Sequence, residues 1–324
     1  MPQTEDTPLS AELLAAARAG DGEAFEVLVG PHLRALHVHA YRMLGSLDDA
    51  DEAVQDALLS AWRALDSYQG QAPLSHWLYR ITTTSSLKVI RAKNRRPVPA
   101  GEIGHLQPYP DRLLNQLTDP GADPAAIAER RESVALAFIT ALQRLPARQR
   151  AALILRDVLA WNAAETAALL EISVPAVNSA LQRARATLPA NSATARPLLD
   201  ARQRQLLDRF TDAWQRCDID ALAALLREDV ILSMPPELVT ITGRTEVTRF
   251  FATVPAGGRL DTIPLVRTAA NGHLALAAYL PDQSARCHGY GIMVFAFAED
   301  SIATITGFPS PDLFERFGLP RTRD

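Results

Sequence analysis

The chain has 324 residues, enough for two or three domains. Apolar residues at 48% and charged residues at 22% are ordinary for folded protein and exclude a mainly disordered chain. A net charge of −4 excludes a uniformly basic nucleic-acid binder, and two cysteines, Cys217 and Cys287, exclude a disulfide framework or a cysteine-built zinc site.

From residue 9 to about 96 the pattern is helical. Leu13, Leu14 and Ala17, then Phe25, Val27 and Leu28, then Leu36, Ala40, Met43 and Leu44 recur at helical spacings. Gly20-Asp21-Gly22 and Gly45-Ser46 punctuate these helices. From 97 to 124 the periodicity stops. Pro97, Pro99, Pro108, Pro110, Pro120 and Pro124 crowd in with Gly101, Gly104 and Gly121, which predicts a linker. A second helical block follows over 125–188, with Val134, Phe138, Leu142 and Leu145 on one stripe and Pro146 opening a new helix. After a shorter proline break at 189–197, two helices are carried by Leu206, Leu207, Phe210 and Trp214, and by Ile219, Leu222, Leu225 and Leu226. The strand-like segments HLALAAYL, ARCHGYGIMVFAFA and SIATITGF come next, a pattern that predicts a small α+β domain. No apolar run reaches the roughly 18 residues of a membrane span, and the start MPQTEDTPLS lacks a basic, apolar leader, so a soluble cytoplasmic protein with no membrane partner is expected.

Charge is segregated. Asp48, Asp49, Asp51, Glu52 and Asp56 share a stretch without bases, whereas Arg80, Lys88, Arg91, Lys93, Arg95 and Arg96 share one without acids. Basic residues on one helix fit phosphate neutralisation, and a solvated helix end running into a linker is the plain alternative. Trp62, Tyr68, Trp77 and Tyr79 flank the loop YQGQAPLS just before the basic helix, and aromatic rings beside positive charge can stack unpaired bases. For Trp62 a core position with Leu58 and Leu65 is the expectation.

Residues 163–188 read as helix, turn, helix. Ala164, Ala167, Ala168 and Ile172 are small or apolar where the two helices would approach, Ser173 is a candidate N-cap, and Pro175 suits a first turn. Val177, Ala180, Leu181, Ala184 and Leu188 form the buried stripe. Pro175, Asn178, Ser179, Gln182 and Arg183 are left facing outward, as a major-groove reading helix requires.

The stretches DDADEAVQDALLSAWRALDSYQGQAPLSHWLYRITTTSSLKVIRAKNRR and LPARQRAALILRDVLAWNAAETAALLEISVPAVNSALQRARATL resemble regions 2 and 4 of the sigma-70 family. The lack of regions 1 and 3 resembles its extracytoplasmic-function group, and the C-terminal part resembles a SnoaL-like cone. The resemblance implies two all-α domains, at 9–97 and 125–189, followed by an α+β cone with a curved antiparallel sheet at 202–324. Linkers are expected at 98–124 and 190–201. It implies an alternative sigma factor, not an enzyme, without cofactor or metal. Its partners would be core RNA polymerase (β′ clamp helices and β flap) and promoter DNA. Asp48, Asp49, Asp51, Glu52, Asp56 and Trp62 would meet polymerase. Tyr68, Gln69, Gln71, His76, Trp77, Arg80, Thr84, Lys88 and Arg91 would meet the −10 element, and Pro175, Asn178, Ser179, Gln182 and Arg183 the −35 element. Arg148 and Arg150 lie where relatives approach phosphate or polymerase. Thr84 and Lys88 depart from the Asn and Asp common in the family's melting helix, which leaves −10 specificity open.

In the C-terminal part Asp261, His273 and His288 are candidate acid–base groups. Trp214, Met234, Phe250, Phe251, Tyr279 and Tyr290 are candidate walls of a ligand pocket. Alternation puts Arg286, His288, Tyr290 and Ile292 on one face, and Cys287, Met293 and Phe295 on the other. His37 and His39, two apart on a helix, point to different faces, against a shared metal. Leu313, Phe314 and Phe317 form an apolar face that either docks on the DNA-binding domains or closes the cone. Two other functions stay open: a helix-turn-helix regulator with a small-molecule-binding domain, and a SnoaL-type enzyme with a DNA-binding front end.

Overall fold

The computed structural model describes residues 8–94, 106–117, 132–188, 201–237, 239–284 and 286–323. Arg95, Arg96 and the proline break at 189–197 lie outside them. The chain divides into two compact units, Met1–Pro99 with Ala137–Ala193, and Ala100–Leu136 with Thr194–Asp324.

The first unit begins with α1 (Pro8–Arg18), α2 (Gly22–Val29), α3 (Leu33–Leu44), α4 (Leu47–Arg63) and α5 (Leu74–Asn94). The breaks are set by local chemistry. Asp21 caps α2 by accepting from the amides of Glu23 and Ala24. Gly45 ends α3 in the left-handed conformation at φ 72°, and Ser46 caps α4 by accepting from Asp49 N. The apolar stripes converge on a core containing Leu36, Ala40, Tyr41, Met43, Leu47, Ala50, Ala57, Leu65 and Leu78. Val27 breaks the expected pattern: it is 55% exposed, and Ala24, Phe25 and Val29 turn inward instead. The inner face of α5 carries Thr82, Thr83 and Ser86, whose hydroxyls donate to the carbonyls of Leu78, Tyr79 and Thr82 one turn back. These buried side chains therefore carry their own acceptors.

The same unit holds α7 (Leu136–Gln143), α8 (Ala147–Leu153), α9 (Ala163–Leu170) and α10 (Val174–Thr187). Between α8 and α9 the helix widens into a π turn at Ile154–Val158. Asn162 and Glu165 form a reciprocal capping box at the start of α9.

The second unit contains α6 (Asp111–Leu114), α11 (Ala201–Gln215), α12 (Ile219–Leu225), α13 (Arg244–Thr253), α14 (Leu313–Arg316) and a curved seven-stranded sheet. The strands are β1 (Leu226–Ser233), β2 (Thr240–Thr242), β3 (Leu265–Ala270), β4 (His273–Pro281), β5 (Cys287–Ala298), β6 (Ser301–Phe308) and β7 (Thr322–Arg323). Six of them run in the order β2-β1-β6-β5-β4-β3, and β7 pairs with β5. The sheet is mixed, not wholly antiparallel as expected, because β1 lies parallel to β6. Leu226 opens β1 rather than closing α12. Register shifts in β1, β4 and β5 mark the irregularities that accompany its curvature. Phe210, Trp214, Leu222, Val247 and Phe251 from the helices fill the concave face against Leu276, Phe295 and Ile305.

One buried group makes the first unit sensitive to acid. His39 is fully enclosed, its Nε2 lies 2.8 Å from Thr83 Oγ1, and its Nδ1 has no partner. Because the Thr83 hydroxyl donates to Tyr79 O, Nε2 is the ring's donor and the ring is neutral. Burial, aided by the charge of Arg42, lowers its pKa from the ordinary 6.5 to about 3. The unfolded chain therefore takes up a proton that the folded one refuses. This contribution to stability is complete above pH 6.5 and falls as pH drops toward 3, by at most about 1.4 kcal/mol per pH unit. Urea midpoints of the native chain should fall more steeply between pH 7.5 and 4.5 than those of His39→Gln. Equal slopes would refute the assignment.

Candidate nucleic-acid interface

The acidic run lies at the start of α4, where Asp48 and Asp49 in the first turn favour the positive end of the helix dipole. Four-residue spacing then sorts the acids. Asp48, Glu52 and Asp56 share one exposed face with Leu59, which is 55% exposed. The other two acids are engaged within the fold: Asp49 pairs with Lys93 of α5 at 2.5 Å, and Asp51 with His37 at 2.9 Å. His37 and His39 thus serve different partners. Trp62 stacks edge-on against Phe25 at 5.1 Å, a packing role.

The loop before α5 is closed by its own side chains. The Tyr68 hydroxyl donates to Ala72 O at 2.9 Å, its ring leans on Trp77 at 5.3 Å, and Arg18 of α1 donates to Tyr68 O. Gln69 and Gln71 are exposed and bonded to each other. Along α5, Arg80, Thr84, Lys88 and Arg91 recur at four, four and three residues and are all exposed, so one face carries three positive charges. Lys93, by contrast, is engaged with Asp49. His76 is not at this open face: its ring stacks on Trp161 at 4.8 Å.

On α10 the expected faces separate. Ser173 accepts from Ala176 N at 3.3 Å, Pro175 sits in the first turn, and Val177, Ala180, Leu181 and Ala184 are buried. Pro175, Asn178, Ser179, Gln182 and Arg183 are exposed together. The partner helix differs from expectation, because Ala164 and Ala168 of α9 face outward while Thr166, Ala167 and Leu170 make the contact. Arg185 is held by Asp157 in a two-pronged pair. Arg150, expected where relatives approach phosphate or polymerase, is 6% exposed and faces inward.

The C-terminal candidates do not converge. Trp214 lies in the concave core and donates to Ile263 O at 3.2 Å, and the rings of Phe210, Phe251 and Phe295 occupy the space around it. Phe250 packs at the edge of this cluster. Tyr279 is turned elsewhere: its ring meets Phe314 at 4.9 Å and its hydroxyl donates to Pro320 O. Between Gly289 and Gly291 the β4–β5 register shifts, which breaks the expected alternation, so Tyr290 is 45% exposed and Ile292 buried. His288 is exposed and pairs with Asp282. Asp261 is exposed, and Arg259 together with the Cys217 thiol lowers its carboxyl to about 2. His273 is held below its ordinary value by burial. Leu313, Phe314 and Phe317 are buried, and Phe314 seats against Tyr279 and Gly289 of the cone's own sheet. Among the described residues no group of His, Cys, Asp and Glu could hold a metal, and no helix is long and apolar enough to cross a membrane.

A site that the sequence reading missed lies at the β3–β4 hairpin. Asn271 and Gly272 have φ of 56° and 76°, the primed turn that Asn-Gly favours. Asn271 is fully buried, and its side chain accepts from Tyr109 N at 2.7 Å and donates to Val134 O at 2.6 Å. Its own amide donates to Tyr109 O, Gly272 N donates to Asp111, and Pro110 bridges to Ala270. Arg112 donates to Arg316 O and Glu315 O at the end of α14. The Asn-Gly pair signals the turn, but nothing in the sequence signals that residues of the proline-rich linker dock there.

An acid-faced helix, a closed aromatic loop leading into a base-faced helix, and a helix-turn-helix, in that order, are the parts of a promoter-recognition factor of sigma-70 type. Family models for sigma-70 region 2, sigma-70 region 4 and a SnoaL-like domain match residues 28–96, 135–188 and 207–305. The sigma factor SigG of Mycobacterium tuberculosis is 38% identical over 325 residues, covering 94% of this chain and 85% of its own length. SigM of the same species is 37% identical over 181 residues, covering 55% of this chain and 82% of its own. The crystal structure of M. tuberculosis SigJ shares the fold, with a TM-score of 0.63 at 23% identity, covering 91% of this chain and 100% of that one. The chain belongs to the extracytoplasmic-function RNA polymerase sigma factors.

The aromatic interior of the C-terminal domain is tested by opening a hole in it. Phe210→Ala should destabilise that domain by about 3–5 kcal/mol, because the neighbouring rings cannot collapse into the space. A loss under about 1 kcal/mol in a denaturant titration would mean that the interior is loosely filled.

Proposed function

We propose that this sigma factor meets core polymerase through the exposed acids of α4, reads the −10 element with the 68–73 loop and α5, and reads the −35 element with α10. Asp48, Glu52 and Asp56 would face the β′ clamp helices, with the region-4 domain on the β flap. Like charges at four-residue spacing weaken a helix on its own, so a stripe of three acids is matched to an external basic partner. Glu52→Lys with Asp56→Lys should lower affinity for core polymerase at least tenfold while leaving the melting temperature unchanged. Asp49 is unsuitable for this test because its ion pair with Lys93 belongs to the fold. Undiminished affinity would move the docking surface elsewhere.

For promoter DNA, Gln182→Ala should cost roughly 1–3 kcal/mol at one base position of the −35 element. Arg183→Ala should weaken all promoters and reduce the salt slope by about one. A footprint and promoter preference unaffected by both would remove α10 from the groove.

The domain over 202–324 is proposed to modulate transcription rather than to catalyse, in a cytoplasmic protein. An interior of aromatic rings whose one indole N–H is spent on Ile263 O supports the non-enzymatic reading. The observation that carries modulation is the docking of Tyr109, Pro110 and Asp111, from the linker between the promoter-reading regions, on the hairpin at Asn271. Asn271→Gly keeps the left-handed backbone and removes the amide. Run-off transcription at limiting polymerase should change at least about threefold in this variant, with affinity for core polymerase retained. Identical transcription across several promoters would leave the domain without a regulatory role.

A further inference from the structure

Asn271 and Gly272 form the single Asn-Gly pair of the sequence, the dipeptide in which asparagine most readily loses its side-chain amide. The reason is local chemistry. Glycine has no side chain to shield its nitrogen, so that nitrogen can attack the asparagine Cγ. The new N–Cγ bond closes a succinimide ring, the Cγ–Nδ2 bond breaks, and ammonia leaves with the proton lost from the glycine amide. Water then opens the ring to aspartate or isoaspartate. Here the reacting groups are held apart. Asn271 Oδ1 accepts from Tyr109 N at 2.7 Å and Nδ2 donates to Val134 O at 2.6 Å, so the side chain cannot turn toward Gly272. Gly272 N donates to Asp111 Oδ1 at 2.8 Å, and the negative charge there opposes loss of the amide proton. Asn271 is fully buried, which shuts out the water that opens the ring. All three bonds come from outside the hairpin, two of them from the linker.

We propose that Asn271 is a site of spontaneous deamidation that the docked linker protects, and that this modification releases the linker irreversibly. The chemistry stands on these contacts alone, whereas its effect on transcription rests on the modulatory role proposed above. Each time the linker lifts, the Asn271 side chain, the Gly272 nitrogen and water are freed together, so ammonia is lost in proportion to the open population. The product cannot redock. An aspartate at this position turns an oxygen toward Val134 O where Nδ2 had donated, and it sets a second negative charge beside Asp111 in a dry site. An isoaspartate lengthens the backbone by a methylene group within a turn that needs φ of 56° and 76° at its two residues. Either form takes away the seat of Tyr109 and Pro110, so the chain records how long its linker has been undocked. Arg112 sets the rate from a distance. It holds the docked segment at the end of α14, rather than at the hairpin, by donating to Arg316 O at 2.6 Å and Glu315 O at 3.2 Å.

The test incubates the full-length chain at mildly alkaline pH, where the amide proton is lost faster, and follows the peptide carrying residue 271 by mass spectrometry. The same chain unfolded in guanidinium chloride gives the unprotected rate. The folded native chain should lose ammonia at least about a hundredfold more slowly. Arg112→Ala removes charge-assisted hydrogen bonds remote from the dipeptide and should raise the folded rate about tenfold. Tyr109→Ala, which removes the buried ring that anchors the linker, should do the same. Circular dichroism identifies a variant that has unfolded, in which case the other decides. Equal rates in the folded and unfolded native chain overturn the protection, as do folded variants that keep the native rate. Deamidated chain and Asn271→Asp should both change run-off transcription in the same direction as Asn271→Gly. If Asn271→Gly differs from the native chain but the deamidated chain does not, the release is overturned. If both are silent, the modulatory reading fails, and the loss of ammonia still establishes the modification site.

Discussion

A polar group withdrawn from water must find its partners inside the fold, and three such groups organise this protein. Arg150 is drawn to the carbonyls at two helix ends, Asn271 to the main chain around Tyr109 and Val134, and His39 to the hydroxyl of Thr83. Each joins segments distant in sequence. Arg150 ties region 4 to region 2, Asn271 ties the linker to the cone, and His39 ties α3 to α5. Apolar packing builds each core, but it has little direction. These bonds fix which surfaces meet, because a buried donor without its acceptor costs far more than a slipped methyl group.

The surfaces left for partners follow from the helical period. On α4, α5 and α10 the inward residues are small or apolar, and the charged or amide side chains fall on the opposite face. The acids that stay exposed are those one turn apart, while Asp49 and Asp51 are consumed by Lys93 and His37. Charge segregation along the sequence thus becomes two exposed faces of opposite sign, one on α4 and one on α5.

In the C-terminal domain the cone that could enclose a ligand encloses aromatic rings. At the rim, a hairpin and the end of α14 hold residues of the linker through backbone and side-chain hydrogen bonds.

Much was legible in the sequence. Helical spacing gave the helices of both DNA-binding regions, Ser173 and Pro175 marked the start of α10, and the outward face of α10 could be listed residue by residue, because periodicity is a local property. Strand alternation gave β4, β5 and β6, yet not the parallel pairing of β1 with β6 or the register shift beside Tyr290, which depend on neighbours in the sheet. Nor could sequence separate Asp49 from Glu52, or Arg150 from Arg183, since residue type fixes a charge but not its partner. Gln143, Arg150 and Asn271 are ordinary polar residues until the chain brings distant carbonyls to them. The sequence by itself determined the helical blocks, strands β4 to β6 and the family. Which polar groups are spent inside, and which stay exposed, was decided only by the tertiary structure, because hydrogen-bond satisfaction is a property of the packed whole.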